Sequence, residues 1–194
     1  MKKKLKRPEP EWARLPLLPE HGINFMTDGH GDAEKFIRVF RNTWNRLPSE
    51  NRRQLLKYWQ KRSLPKFKRP HIDLANWMSD FNLDERHDKG KYDDPEAAAY
   101  ATCSGDGTHL AFWQPVMDQL PDEHAISLIA HELAHALIII SLTKKKNPDL
   151  DDPDMIHAYI RKYLSMIGID EDAMRQWVTE NAPELAKGQK GLEE

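Results

Sequence analysis

Two histidines stand four residues apart in the run His131-Glu132-Leu133-Ala134-His135. On a helix that spacing puts both imidazoles on one face, one turn apart, so both can reach one metal ion. Glu132 follows the first histidine and points toward the open side of such an ion. There a carboxylate can take a proton from a bound water, which is the chemistry of metal-assisted hydrolysis. The surroundings strengthen this reading. Ile126, Ile129, Leu133, Leu137 and Ile140 recur at helical spacing and form a core stripe. Ionisable side chains amid such apolar character are costly to bury unless something pairs them, and a Zn²⁺ ion does so. The competing readings are an exposed polar turn, a histidine pair satisfied by backbone, or a metal held without catalysis.

The motif needs a helix to carry it and neighbours to complete it. Pro121-Asp122 opens a long helix that is expected to run to about Leu142, with Asp122 as N-cap or first-turn acid. Before it, Ala97–Cys103 and Thr108–Trp113 flank Ser104-Gly105-Asp106-Gly107 and read as a β-hairpin, although the alanines of 96–101 also suit a helix. Pro115–Leu120 reads as a turn or short helix. Residues 144–152 form a polar loop. Asp152 then caps a helix that starts at Pro153 and ends at Gly168, and a last helix covers Glu171 to about Asn181.

Further upstream, Phe36, Val39, Phe40 and Trp44 mark a helical pattern from Asp32. Ser49 starts a second, with Leu55, Leu56 and Trp59 at core spacing. Ile72, Leu74 and Trp77 suggest an extended piece, and residues 80–95 a polar loop. Residues 1–30 are rich in Pro, Gly and charge and read as an irregular arm. The expected organisation is that arm, one domain over 31–181 (a helical part at 31–70 and a metal-site part at 71–181), and a tail at 182–194.

The stretch Ile126–Leu137, with His131, Glu132 and His135, resembles the active-site helix of zincin-type metallopeptidases. The order strand, short connector, motif helix, loop, second helix is similar to minimal gluzincin-like and SprT-like domains, over roughly residues 96–180. The resemblance implies an α+β, zincin-like fold: a small antiparallel or mixed sheet packed on the HExxH helix, here with extra N-terminal helices. It implies that His131 and His135 ligate Zn²⁺, that Glu132 is the general base, and that the substrate is a protein or peptide. It also implies that His109–Trp113 is the edge strand lining the cleft.

A catalytic zinc usually has three protein ligands and one water. No histidine follows shortly after His135 as metzincins require, and no Glu lies between His135 and Asp170, where gluzincins supply one. The remaining candidates are His157, Asp154 and Asp152. Asp152 suits a helix cap and Asp154 a first-turn acid. His157 shares a face with Ile160 and Leu164, which should pack toward the motif helix. His124 lies two turns before His131 and reads as surface. Tyr159 is either core or a group opposite the metal.

Hydrophobic residues make up 39% and charged residues 31% of the 194, enough apolar material for a core. The one cysteine, Cys103, excludes an intrachain disulfide and fits a reducing, cytoplasmic setting. The basic start lacks an apolar run, so no secretory signal is expected, and no stretch reads as a membrane span. The net charge of −2 hides an asymmetry: residues 1–70 hold 18 Lys/Arg against 7 Asp/Glu, and residues 71–194 hold 11 against 24. Residues 52–69 interleave Lys/Arg with Tyr58, Trp59 and Phe67, a pattern that can grip a nucleic-acid backbone. Solvated surface is the default reading of such charge. The alternative function is accordingly a binding module on a zincin scaffold, with structural zinc or none, contacting a protein or nucleic acid through this basic half.

Overall fold

The computed structural model describes residues 13–27, 32–61, 71–75, 101–104, 107–145, 147, 149 and 152–183. The fold is α+β. A five-stranded mixed sheet is built from β1 (Ala13–Leu18), β2 (Ile23–Thr27), β3 (His71–Ala75), β4 (Ala101–Cys103) and β5 (His109–Trp113) in the order β1-β2-β3-β5-β4. Strands β1 and β2 pair antiparallel, β2–β3 and β3–β5 parallel, and β4–β5 antiparallel.

The helices α1 (Ala33–Arg46) and α2 (Ser49–Lys61) fall between β2 and β3 in the chain, as a parallel pairing requires of its crossover. Asp32 caps α1 by accepting from the Lys35 amide. The apolar stripe foreseen for α1 is buried: Phe36, Val39, Phe40 and Trp44. Phe36 meets Phe25 of β2 at 5.2 Å and Phe112 of β5 at 5.3 Å between ring centroids. These contacts, with buried Ile72, Leu74 and Leu110, seal one face of the sheet. On its other face Asp73 and His109 pair at 2.9 Å, which satisfies polar groups that would be costly buried alone.

The short α3 (Gln114–Gln119) leads into α4 (Asp122–Lys145), the helix of the two-histidine motif. Acids in its first turn and lysines in its last complement the helix dipole. It packs against α1, α2, β4, α5 (Pro153–Met166) and α6 (Glu171–Asn181). The expected one-sided stripe is therefore too narrow. Leu128, Ala130, Ala134, Ala136, Ile139 and Leu142 are buried as well, because neighbours cover α4 on several sides. With a mean hydropathy of 1.9, α4 is also long and apolar enough to span a bilayer, contrary to the expectation from sequence. However, 83% of its most apolar window is buried inside the protein.

Two further expectations change. The irregular arm at 1–30 contains, over its described part, the β1–β2 hairpin: the chain turns through Pro19–His21 and Gly22 to form one side of the sheet. The strand His109–Trp113 is interior, since β4 pairs along its outer side; among the described strands β4 and β1 are the edges. The hairpin reading of β4 and β5 stands, and Pro115–Leu120 is mostly helix. Trp77, the loop at 80–95, residues 96–100, the basic stretch beyond Lys61 and the tail from 184 lie outside the described residues. Within α2, Trp59 is buried, Arg53 pairs with Glu50 and Arg52 donates to Asn45.

Gly107, at the end of the β4–β5 turn, is held by α2 on one side and lies against the motif helix on the other. Trp59 donates its indole N–H to the Gly107 carbonyl at 2.9 Å and stacks on Trp44. Gly107 has φ +71, and a Cβ there would lie 3.3 Å from both Cα and O of Ala136, the residue after His135. Both the dihedral and the close approach demand glycine. Gly107→Ala is expected to lower the unfolding free energy by about 1–3 kcal/mol. Gly22→Ala, at φ +67 with open space around it, is expected to cost less. Urea denaturation of the two variants measures the difference; equal losses would mean that the turn is not pressed on α4.

Candidate metal centre

The site is assembled by three helices. His131 and His135 come from the middle of α4. His157 comes from the second turn of α5, whose Ile156, Ile160 and Leu164 are buried. Asp152 caps α5, accepting from the Asp154 and Met155 amides, and Pro153 occupies the first helical position. Each of the three histidines offers a ring nitrogen, and these atoms all lie within 4.8 Å of one another. Ring centroids are 4.9 Å apart for His131–His135, 5.9 Å for His131–His157 and 5.2 Å for His135–His157. His131 is buried, while His135 and His157 are partly exposed.

Of the three candidates for completing the pair, the structure brings His157 to it. Asp152 is used as the cap, and Asp154 is exposed. Tyr159 does not face the cluster as a free hydroxyl; it donates to Asp149 Oδ2 at 2.7 Å and holds the loop before α5. His124 is not a surface residue. Its ring rests on Trp177 of α6 at 5.7 Å, and its side chain is only 15% exposed.

Glu132 is 4% exposed, and its Oε2 has no hydrogen-bond partner among the described residues. Burial pushes its pKa up to about 7, against the pull of His131. His135 is held well below the usual imidazole range, first by burial and then by the neighbouring His131 and His157. It is therefore neutral, as a ligand must be. His131 behaves differently. Burial pulls its pKa down, but Glu171 and Glu132 outweigh burial and the net shift is upward.

Sequence reasoning missed Glu171. It is the first residue of α6, and its Oε1 lies 3.1 Å from His131 Nδ1 and 3.2 Å from the Arg175 guanidinium. Burial opposes its ionisation, yet His131 and Arg175 prevail and its pKa falls to about 2. An acid in the first turn of a helix is favoured by the dipole anywhere, so nothing in the sequence marked it. Tyr163 was missed too. Its buried hydroxyl has no partner among the described residues, and burial raises its pKa to about 12.

The donor set fits a divalent transition ion. Three imidazoles converge, and an unpartnered carboxylate oxygen is buried one residue from the first of them. No protein-family model, no curated protein and no solved structure matches the chain.

Two outcomes follow from this geometry. His157→Ala is expected to weaken Zn²⁺ binding by more than the ~10–100-fold that loss of an outer-shell partner costs, whereas Asp154→Ala leaves it near wild type. Competition with a chromophoric chelator measures both, and equal affinities for the two variants would remove His157 from the set. The second concerns the metal-free protein. Because the Glu171 pKa is depressed by folding, its contribution to stability is complete above about 4.5 and is lost as pH falls toward about 2. Glu171→Gln should flatten the fall of the denaturation midpoint across that window.

Proposed function

We propose that this chain is a zinc-dependent metallopeptidase of a compact zincin-like fold, with His131, His135 and His157 as metal ligands and Glu132 as general base. The observation that carries the reading is the convergence of three imidazoles beside a buried carboxylate with an unpartnered oxygen. Closed structural zinc sites fill all four positions, most often with cysteines. Three protein ligands with a vacancy for water are the pattern of catalytic zinc. The partial exposure of His135 and His157 leaves a side from which substrate can approach. Cys103, the single cysteine of the sequence, is half-buried and fits a reducing compartment such as the cytoplasm.

Bound by these imidazoles, zinc would supply Lewis acidity, lowering the pKa of a coordinated water toward 7 and polarising a substrate carbonyl. The protein's part is positioning and proton transfer. The i, i+4 spacing on a rigid helix holds two ring nitrogens toward a common point, and the docking of α5 brings the third. Glu132 takes the proton of the attacking water at Oε2 and returns it to the leaving amide nitrogen. With a cation bound by the imidazoles, the Glu132 pKa would fall from its burial-raised value, leaving the carboxylate ready to accept.

The test separates catalysis from mere metal binding. Purified protein should hold close to one zinc per chain, and Glu132→Gln should retain it. The same variant should lower peptide hydrolysis on a casein or fluorogenic-peptide substrate by ~10²–10⁴-fold, the usual contribution of a general base. Stripping the metal with a chelator should abolish turnover, and zinc should restore it. Unchanged hydrolysis in Glu132→Gln would overturn the mechanism and leave the metal as a structural element of a binding module.

A further inference from the structure

We infer that Glu171, backed by Arg175, is a positioning residue of the metal centre, so that the last helix is a working part of the site rather than a structural cover. The inference rests on the reading of His131 as a metal ligand. It begins with how α6 is placed. The chain leaves α5 through a tight turn in which Gly168, at φ +72, donates to the Ser165 carbonyl and Ile169 donates to the Leu164 carbonyl. This is the paired closing pattern of a helix end, and it reverses the chain within two residues. Asp170 then caps α6 by accepting from the Ala173 amide. Its own carbonyl accepts from Ser127 Oγ of α4 at 3.2 Å, one turn before His131. Further along, Trp177 meets His124. Thus α6 runs back toward the start of α4, with both anchors on the N-terminal side of His131.

Glu171 is delivered to His131 by that anchoring. Its side chain is 9% exposed, as is that of His131, and the two atoms facing each other are Oε1 and Nδ1, 3.1 Å apart. Arg175 sits one turn on, with its Nε at 3.4 Å and its Nη2 at 3.2 Å from the same oxygen. An imidazole has two nitrogens. A carboxylate held at Nδ1 favours the tautomer with its proton there and leaves Nε2 as the lone-pair donor, fixing ring orientation as it does so. Glu171 itself does not join the three-imidazole cluster. Arg175, bonded to the same oxygen through two of its nitrogens, limits the rotation of the carboxylate. In the absence of metal, His131 Nδ1 and Glu171 Oε2 both lack a well-aligned hydrogen bond among the described residues.

The experiment measures zinc affinity, not turnover. Chelator competition is run on the full chain as wild type, Glu171→Ala, Glu171→Gln, His131→Ala and the double variant His131→Ala/Glu171→Ala. Glu171→Ala should weaken zinc binding ~10–100-fold. Glu171→Gln, which still offers a carbonyl acceptor, should recover much of that loss. In the His131→Ala background the Glu171→Ala change should have no further effect, because its route to the metal is gone. The Co²⁺ absorption spectrum of Glu171→Ala should keep the intensity of the wild-type coordination number. An equal loss in both backgrounds would assign Glu171 a merely structural role and overturn the inference. A Co²⁺ spectrum showing a lost ligand would also overturn it, by making Glu171 a direct donor. If wild type binds no zinc, or His131→Ala binds as wild type does, the metal-centre reading itself fails, which is a separate outcome.

Discussion

The structure turns on the burial of ionisable side chains in the middle of its most apolar helix. Helix α4 is covered by five other elements, yet it carries His131, Glu132 and His135 at its centre. An isolated charge in such surroundings is expensive, and the protein answers by neutralising or pairing each group. His135 is kept neutral, Glu132 is pushed toward its protonated form, and His131 is matched with Glu171. Glu132 Oε2 is left without a hydrogen-bond partner among the described residues, and on the proposed function a cation held by the three convergent imidazoles would supply the missing charge.

The two halves of the chain support α4 in different ways. The N-terminal elements act by shape. The aromatic contacts of Phe25, Phe36 and Phe112 join α1 to the sheet, and Trp59 clamps the β4–β5 turn where it meets Ala136. The ties of Lys35 to the Asp118 and Leu120 carbonyls, and of Arg38 to Asp122, fix α1 to the start of α4. The C-terminal elements act by chemistry. α5 brings His157, and α6 brings Glu171 and Arg175. The scaffold side is dominated by apolar packing, and the side that supplies polar partners begins after residue 152.

The motif and its helix were legible because their signals are local. The i, i+4 histidines, the acid at Asp122 and the cap at Asp152 each operate within one or two turns. The boundaries of α1, α5 and α6 were readable for the same reason. The first strands were not: Arg14, Pro16 and the Pro19–Gly22 turn look like an irregular arm until pairing of β2 with β3 provides a partner, and that pairing spans more than forty residues. The edge position went to β4 rather than β5 because strand order depends on tertiary pairing, on which alternation is silent. Glu171 was invisible because its type and place are common to any helix start. What distinguishes it is the return of the chain after Gly168, and a dihedral angle at one glycine decides where that return points.

The order of the site's parts along the chain has a consequence for synthesis. The five-residue motif is complete at residue 135, but His157 and Glu171 emerge later, the first on α5 and the second on α6, beyond the chain reversal at Gly168. A nascent or truncated chain ending before α5 carries the full motif and two of the three imidazoles. Assembly of the cluster therefore requires the chain to run through α5, and the contact of Glu171 with His131 requires it to run on into α6.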